Sequence, residues 1–545
     1  MSTTSIKAPA RAKRRLSYNR LKAWLAARAT NPETSLWLVI QLAVLHAVLW
    51  TFILINLKTG EDVHMDVAEA YAWGQKFQLG YGKHPPLAGW IAGLWFKLFP
   101  IADWAAYALA MATVSIGIII CWFIALRVVD RKRAFLVVVM LALYPIFNFK
   151  GFKYNPDLLQ LITLPLVVLA YLNAFEKRSW QSGIWLGLAC ALALMTKYWV
   201  LTMIGAIGLA ALIHPDRMKF LGSPAPWVAI ATLVVAMIPH LVWLSDAHFT
   251  PLIYAGDTYS LADRSLVMGL VLGYVEHNLA LLVLPVALAA LAIALAPSWW
   301  KLLRRAPLRI IAGRFITGPW ARGANPGVNF SQALNIWMIQ IIVAIGPPLG
   351  ALALSVYLKT DWGISLFFLV PLALVAIPAL RVPRASLFNI AAIWLVLTLA
   401  TLAASPWIAS RAMAANSNST AIYGARSELA RELTQAWHMR FGSRWPIVAG
   451  PMDTIQPMVF YSPDHPRPFT PNEAWGSGLT SSDDLKRFGF IAVFDSTDYR
   501  LQALDKWITE TAPNAEHLVM TTRRFMHGRA GPSITWNVYI VPPTK

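Results

Sequence analysis

The sequence predicts an α-helical polytopic membrane protein, with about 11 transmembrane helices and a small C-terminal α/β domain outside the cytoplasm. Three observations predict this. The 545 residues are 57% hydrophobic, with a mean hydropathy of +0.52. Only 14% are charged, against roughly 25% in an ordinary soluble domain. The net charge is nevertheless +20, from 47 Lys and Arg against 27 Asp and Glu, and the basic residues stand outside the long apolar runs. Such a surplus on a soluble chain would suggest a nucleic-acid binder. The low charged fraction excludes that class, and the apolar content excludes disorder.

Each span follows from the bilayer's demand for about 20 apolar residues of helix. Helices are expected near 36–56, 103–126, 134–149, 156–175, 181–196, 198–213, 225–245, 270–297, 334–357, 362–380 and 387–408. The first run is longer than the apolar part of a signal peptide and no small-residue cleavage site follows it, so it reads as a retained helix behind a basic cytoplasmic tail, 1–35. Residues 181–213 are too long for one helical span, and a hairpin with Lys197 at its outer tip fits the flanking basic residues. Cys121 and Cys190 both fall in apolar runs and form no disulfide framework or metal motif.

Charge sorting tests this layout independently. Alternating the spans from a cytoplasmic N-terminus puts 24 basic residues in the inner segments 1–35, 127–133, 176–180, 214–224, 298–333 and 381–386. The outer segments up to residue 408 hold nine: Lys58, Lys76, Lys83, Lys97, Lys150, Lys153, Lys197, Arg264 and Lys359. That bias is the positive-inside rule. It gives a multi-pass chain with a cytoplasmic N-terminus, the transmembrane region over 36–408 and residues 409–545 as a domain on the outer face. The domain carries 14 basic and 12 acidic residues. Strands are expected at Trp445–Ala449, Met458–Tyr461, Phe490–Phe494 and Trp536–Val541, a helix near 423–439, and a polar linker at Asn416–Thr420.

The long first outer loop, 57–102, carries the densest polar chemistry. In His64-Met-Asp66-Val-Ala-Glu69-Ala-Tyr71-Ala-Trp73, a helix would put Asp66 and Glu69 on one face. Lys83-His84-Pro85-Pro86 follows, where the prolines stop any helix. An interfacial helix with solvated charges and interfacial aromatics is the plainer reading. A second outer segment, Lys150-Gly-Phe-Lys153-Tyr-Asn-Pro-Asp157, leads into a helix; Asp157 is either a first-turn carboxylate favoured by the helix dipole or a functional group. Lys197 is either a snorkelling lysine or a site residue. Asp246, His248, Asp257, Asp263, Arg264, Glu276 and His277 add ionisable groups on the same side. Together they suit an outer interfacial cavity for an anionic, phosphate-bearing substrate: lysines for phosphate, carboxylates for a base or a metal. No P-loop, Rossmann, HExxH or GxSxG motif accompanies them.

In order, Asp66-Val-Ala-Glu69-Ala-Tyr71-Ala-Trp73, Gly80-Tyr81-Gly-Lys83-His84-Pro85-Pro86-Leu87, Tyr154-Asn-Pro-Asp157 and Thr196-Lys197-Tyr198 resemble glycosyltransferase family 39. This is the membrane-embedded group of protein O-mannosyltransferases and bacterial aminoarabinose transferases of lipid A. The resemblance extends to the layout of nearly the whole chain. It implies a GT-C fold and transfer of a sugar from a polyprenyl-phosphate donor to a lipid A, glycolipid or protein acceptor on the periplasmic face. It implies Asp66 as catalytic base, with Asp157 as a second catalytic carboxylate. Glu69, Tyr71, Tyr81, Lys83, His84, Lys153 and Lys197 would bind substrate, His84 standing where the family has the basic residue before its proline pair. The family often has Asp-Glu where this chain has Asp66-Val67. The second carboxylate is absent unless Glu69 substitutes, so metal ligands stay unassigned and a divalent cation is the one cofactor left open.

Physical logic agrees. Direct displacement at an anomeric carbon needs a base on the acceptor and positive charge on the leaving phosphate, and would invert the centre. The expected partners are the lipid-linked donor, the acceptor and membrane lipids, with no nucleic acid. Two other classes stay in competition: a transporter or lipid flippase, and a non-catalytic protein displaying its outer domain.

Overall fold

The computed structural model describes residues 10–261, 263–296, 327–416, 419–471, 473, 478–526 and 528–544. Most of the expected inner segment 298–333, the first nine residues of the basic tail, and part of the Asn416–Thr420 linker lie outside the described residues. Helices dominate: α1 (Ala10–Thr30), α2 (Ser35–Leu57), α3 (Met65–Trp73), α4 (Leu87–Leu98), α5 (Asp103–Val128), α6 (Arg131–Leu143), α7 (Pro156–Lys177), α8 (Trp180–Leu194), α9 (Leu201–Ile213), α10 (Arg217–Leu221), α11 (Pro224–Asp246), α12 (Thr250–Tyr259) and α13 (Arg264–Ala294). The long helices Phe330–Leu354 and Arg384–Ala415 complete the bundle.

Among the described residues, seven helices are long and apolar enough to cross a membrane, or eight if α6 and the bent turns after it are one span. Three shorter apolar helices, α4, α8 and the segment Tyr198–Ile213, lie beside them. The break expected within 181–213 is present, with Lys197 between α8 and α9, but the two helices pack on different partners, α8 on α11 and α7, and α9 on Phe330–Leu354. The bend after α6 has a local cause. Pro145 follows Tyr144, so the helix cannot continue, and the chain turns by 75° through two 3₁₀ turns. That bend carries Lys150 and Lys153 to the bundle end where α7 begins.

The bundle departs from expectation in three places. Residues 362–380 are not one continuous span: they form part of a 3₁₀ segment, Thr360–Leu366, then the six-residue helix Val370–Val375. Gly363, Pro371 and Pro378 break the apolar run, and Gly363 packs directly on the Asn278 side chain. The first outer loop also holds a second helix, α4. It crosses α3 where Gly74 meets Gly93, so closely that a Cβ on either would overlap the other backbone. The last long helix continues to Ala415, past the expected end at 408.

The C-terminal region is a five-stranded mixed sheet in the order β2-β1-β3-β5-β4. Its strands are β1 (Ile447–Ala449), β2 (Arg467–Phe469), β3 (Phe490–Asp495), β4 (Glu516–Met526) and β5 (Arg529–Val541). β1 pairs in parallel with β2 and β3, while β5 pairs antiparallel with β3 and β4. The expected helix is present at Arg426–Phe441. Met458–Tyr461 is the end of the helix Met452–Tyr461 instead of a strand. Its Val-Phe-Tyr composition favours strand, but burial of Ile455, Met458 and Val459 with residues of α3 in one apolar cluster overrides that local preference. β4, which the sequence reading missed, mixes polar residues with the exposed Val519 and Phe525 on its outer face and exists through its ladder with β5.

Candidate active site

The polar site forms where α3, the turns after α6, the start of α7 and the α8–α9 turn meet. Local chemistry sets each start. Asn155 precedes Pro156, and its Oδ1 accepts the Leu158 backbone N–H at 2.9 Å, capping α7. That cap fixes the amide, so Nδ2 faces away and donates to Asp66 Oδ2 at 2.9 Å. His64 caps α3 in turn, its Nδ1 accepting the Asp66 N–H at 3.1 Å.

Asp66 is the centre of the first group. Lys153 Nζ lies 3.8 Å from Asp66 Oδ2 and 4.0 Å from Asp361 Oδ2. His277 Nε2 is 3.8 Å from the other Asp361 oxygen. Burial alone would raise the Asp66 carboxyl, but His64, which gains charge as the pH falls, the Lys153 ammonium and the Asn155 hydrogen bond overcome it and hold it well below the usual carboxylate range.

The second group is an ion pair. Lys197 Nζ lies 2.8 and 3.0 Å from the two oxygens of Asp157. Gln160 donates to Asp157 at 3.1 Å and accepts from Ser365 Oγ at 3.1 Å, while the Trp362 ring centre lies 5.1 Å from Lys197 Nζ. His84 stands between the groups, within electrostatic reach of Lys197, Lys83, Asp157 and Asp66. Burial, then the two lysines, push its imidazole down to about 3, so it is a neutral donor at pH 7. A cavity of about 240 Å³ opens among Lys150, Lys153, Asn155, Asp157, Asp361 and Ser365. At about 30 Å³ per water, that is room for roughly eight waters.

The structure therefore brings Asp66, Asp157, Lys153, Lys197 and His84 together. Other expected residues sit elsewhere. Glu69 shares the α3 face with Asp66 but turns to Lys83 at 2.9 Å, and Glu69 holds the lysine above its ordinary value against the effect of burial. Lys83 also donates to the Met452 sulfur at 2.6 Å. Tyr71 packs edge-on against Phe96 and Phe460 at 5.4 and 5.6 Å, inside the contact with the C-terminal domain. Tyr81 is fully buried, stacks on Trp73, and shares its hydroxyl between the Trp73 and Lys76 carbonyls at 2.7 Å each. Both tyrosines brace the loop; neither lines the cavity.

Sequence reasoning missed Asn155, Gln160, Asp361, Trp362 and Ser365. Asn155 stood inside a quoted motif, and Asp361 lay two residues after the outer Lys359, just ahead of the expected span 362–380. Among the described residues no three His, Cys, Asp or Glu side chains could hold a metal ion together, so no step below passes through one.

Fold and site together define a polytopic membrane protein with a polar cavity, lined by two lysines and two aspartates, at one end of its helical bundle. A family model described as dolichyl-phosphate-mannose-protein mannosyltransferase matches residues 83–243. A lipid A galacturonosyltransferase, RgtD, of Rhizobium johnstonii is 26% identical over 215 residues, 37% of this chain and 42% of that protein. A lipopolysaccharide core galacturonosyltransferase, RgtB, of the same organism is 23% identical over 277 residues, 48% of this chain and 55% of that protein. The chain thus spans about half the length of the curated relatives it matches. The crystal structure of ArnT from Cupriavidus metallidurans bound to undecaprenyl phosphate superposes with a TM-score of 0.50 at 13% identity, over 94% of this chain and 98% of that one. The chain therefore has the GT-C fold of that structure, and its residues 83–243 resemble the mannosyltransferase family model.

Proposed function

We propose that this protein is an integral-membrane glycosyltransferase that moves a sugar from a polyprenyl-phosphate donor to lipid A or a related envelope glycolipid. The reaction takes place on the periplasmic face of the inner membrane, with the N-terminus cytoplasmic and residues 409–545 periplasmic. The observation that carries this reading is an ionised carboxylate, Asp66, held beside Lys153 at 3.8 Å, with His84 and the Lys197–Asp157 pair alongside. The relatives named for lipid A and lipopolysaccharide core, and the neighbour bound to undecaprenyl phosphate, support the acceptor and donor classes. The galacturonosyl in both relatives' names puts a uronic acid first among the sugars to test.

The chemistry is a single displacement. The acceptor oxygen attacks the anomeric carbon, and the bond from that carbon to the phosphate oxygen breaks. Its electron pair leaves with the polyprenyl phosphate, and the anomeric centre inverts. Asp66 takes the proton when the acceptor is a hydroxyl; an acceptor phosphate needs no base. A carboxylate held as low as Asp66 is a weak base. An arriving phosphate that draws Lys153 away would restore its basicity at the moment it is needed. Lys153, Lys197 and a neutral N–H of His84 then stabilise the charge developing on the leaving phosphate.

Mass spectrometry of envelope lipids from cells with and without the gene tests the reading. The expected result is one sugar's mass missing from a lipid A species in the deletion, restored by the wild-type gene but not by Asp66→Asn. Identical lipid profiles, or sugar flux in vesicles without acceptor, would overturn it.

A further inference from the structure

The segment that leads into α3 is held from the far end of the chain. Residues 60–63 form no helix or strand. Asp62 Oδ1 accepts Arg524 of β4 at 2.6 Å. Asp62 Oδ2 accepts the backbone N–H groups of Arg426 and Ser427, at 2.9 and 3.4 Å, so it caps the helix Arg426–Phe441 from outside. Arg524 also donates to the Gly60 carbonyl at 3.3 Å, to Ser427 Oγ at 2.6 Å and to Glu428 at 2.8 Å. One residue on, the Val63 N–H donates to the Tyr461 hydroxyl at 2.8 Å, and that hydroxyl donates to Asp103 at 2.8 Å.

The Arg524–Asp62 contact is dry. Side-chain exposure is 11% for Arg524 and 7% for Asp62. A desolvated, multiply bonded guanidinium–carboxylate pair is geometrically strict, and removing one partner strands the other. Asp62 is four residues from Asp66, and His64 between them caps α3. Only Val63, His64 and Met65 separate the clamp from the carboxylate. Asp66 must meet an amide that α7 holds at 2.9 Å, so a shift of the α3 start moves it off that partner.

We propose that Arg524, assisted by Tyr461, is a positioning residue for Asp66, so the C-terminal domain sets the geometry of the transfer site through residues 60–63. The inference rests on the reading of Asp66 as the reacting carboxylate. A displacement of about 1 Å at a reacting group can cost about a hundredfold in rate. The clamp therefore acts on turnover, while donor affinity belongs to the cavity cations that it does not touch.

The test uses the full-length protein in nanodiscs, as wild type, Arg524→Ala, Arg524→Lys and Tyr461→Phe. Hydrogen exchange of peptides covering 60–73 and binding of undecaprenyl phosphate are measured beside sugar transfer. For Arg524→Ala, exchange in 60–73 rises at least about tenfold and kcat falls about a hundredfold. Undecaprenyl phosphate affinity stays within about twofold, and exchange in α5 and α7 is unchanged. Arg524→Lys recovers part of both losses, because an ammonium restores charge but not the fork. Tyr461→Phe moves both in the same direction by less. Unchanged protection of 60–73 in Arg524→Ala, or a kcat loss that follows exchange spread evenly over all helices, overturns the proposal. If Arg524→Ala does not fold, the same criteria apply to Arg524→Lys and Tyr461→Phe. A wild type that transfers no sugar sinks the functional reading instead, and the exchange measurements still decide the clamp.

Discussion

The Lys197 ammonium grips both oxygens of Asp157, at 2.8 and 3.0 Å, across 40 residues of sequence. The pair joins the first turn of α7, where Asp157 lines the cavity, to the α8–α9 turn behind it. Each partner makes the other affordable in a largely dehydrated place, which leads to a thermodynamic expectation.

Replacing one partner should hurt more than replacing both. Lys197→Met strands a carboxylate and Asp157→Asn strands an ammonium. Each single change should cost a few kcal/mol, toward the lower end of the roughly 3–5 kcal/mol seen for fully buried pairs. The double variant should recover about 1–3 kcal/mol of the summed losses. Thermal unfolding in detergent across the four proteins measures the coupling; strict additivity would deny it.

Lys153 should govern the acid limb of activity. Asp66 is held below its ordinary value, so it stays ionised throughout any practical assay range. Its stabilising interactions are present above the unfolded carboxylate value and are lost as pH falls through the lower folded value. Lys153→Met removes one cause of the depression and should raise the Asp66 carboxyl. The pH–rate profile should then gain an acid limb displaced upward from wild type. A superimposable profile would show that Lys153 does not tune Asp66.

His84 should make the protein acid-sensitive. Its folded value is about 3, against about 6.5 for an unfolded histidine. Below pH 6.5 the unfolded chain takes up a proton that the folded chain does not, so stability is lost as pH falls from about 6.5 toward about 3. One such group contributes at most about 1.4 kcal/mol per pH unit in that window. His84→Gln should flatten the fall in Tm between pH 6.5 and 4.5.

Tyr81 should behave as a brace. Tyr81→Phe leaves the Trp73 and Lys76 carbonyls without their shared donor. A loss of about 1 kcal/mol of stability is expected, with donor KM unchanged. A KM rise without loss of stability would return Tyr81 to the substrate site.

Much of this was legible along the chain, for a reason specific to membranes. Hydrocarbon forces a span to satisfy its own backbone and to be apolar, so composition writes most of the spans and basic residues sort between them. Composition alone left the outer-face ionisable residues level with one another; Asp66, His84, Asp157 and Lys197 stood out through the resemblance of their motifs to glycosyltransferase family 39. Tyr71 and Tyr81 could not be judged that way. An aromatic in a polar motif looks the same whether it faces substrate or packs on Phe460.

Sequence alone determined that this chain is a basic-sorted, multi-helix membrane protein with a polar first loop, because those properties are local and periodic. Only the tertiary structure decided that Asp66 answers to Asn155 and Lys153, that Asp361 enters the cavity from a broken apolar run, and that Arg524 holds the loop from the far end of the chain. Those relationships join residues 89, 208 and 462 positions apart. No local pattern encodes such pairings; they follow from how the helices pack and from the need of each buried charge for a partner.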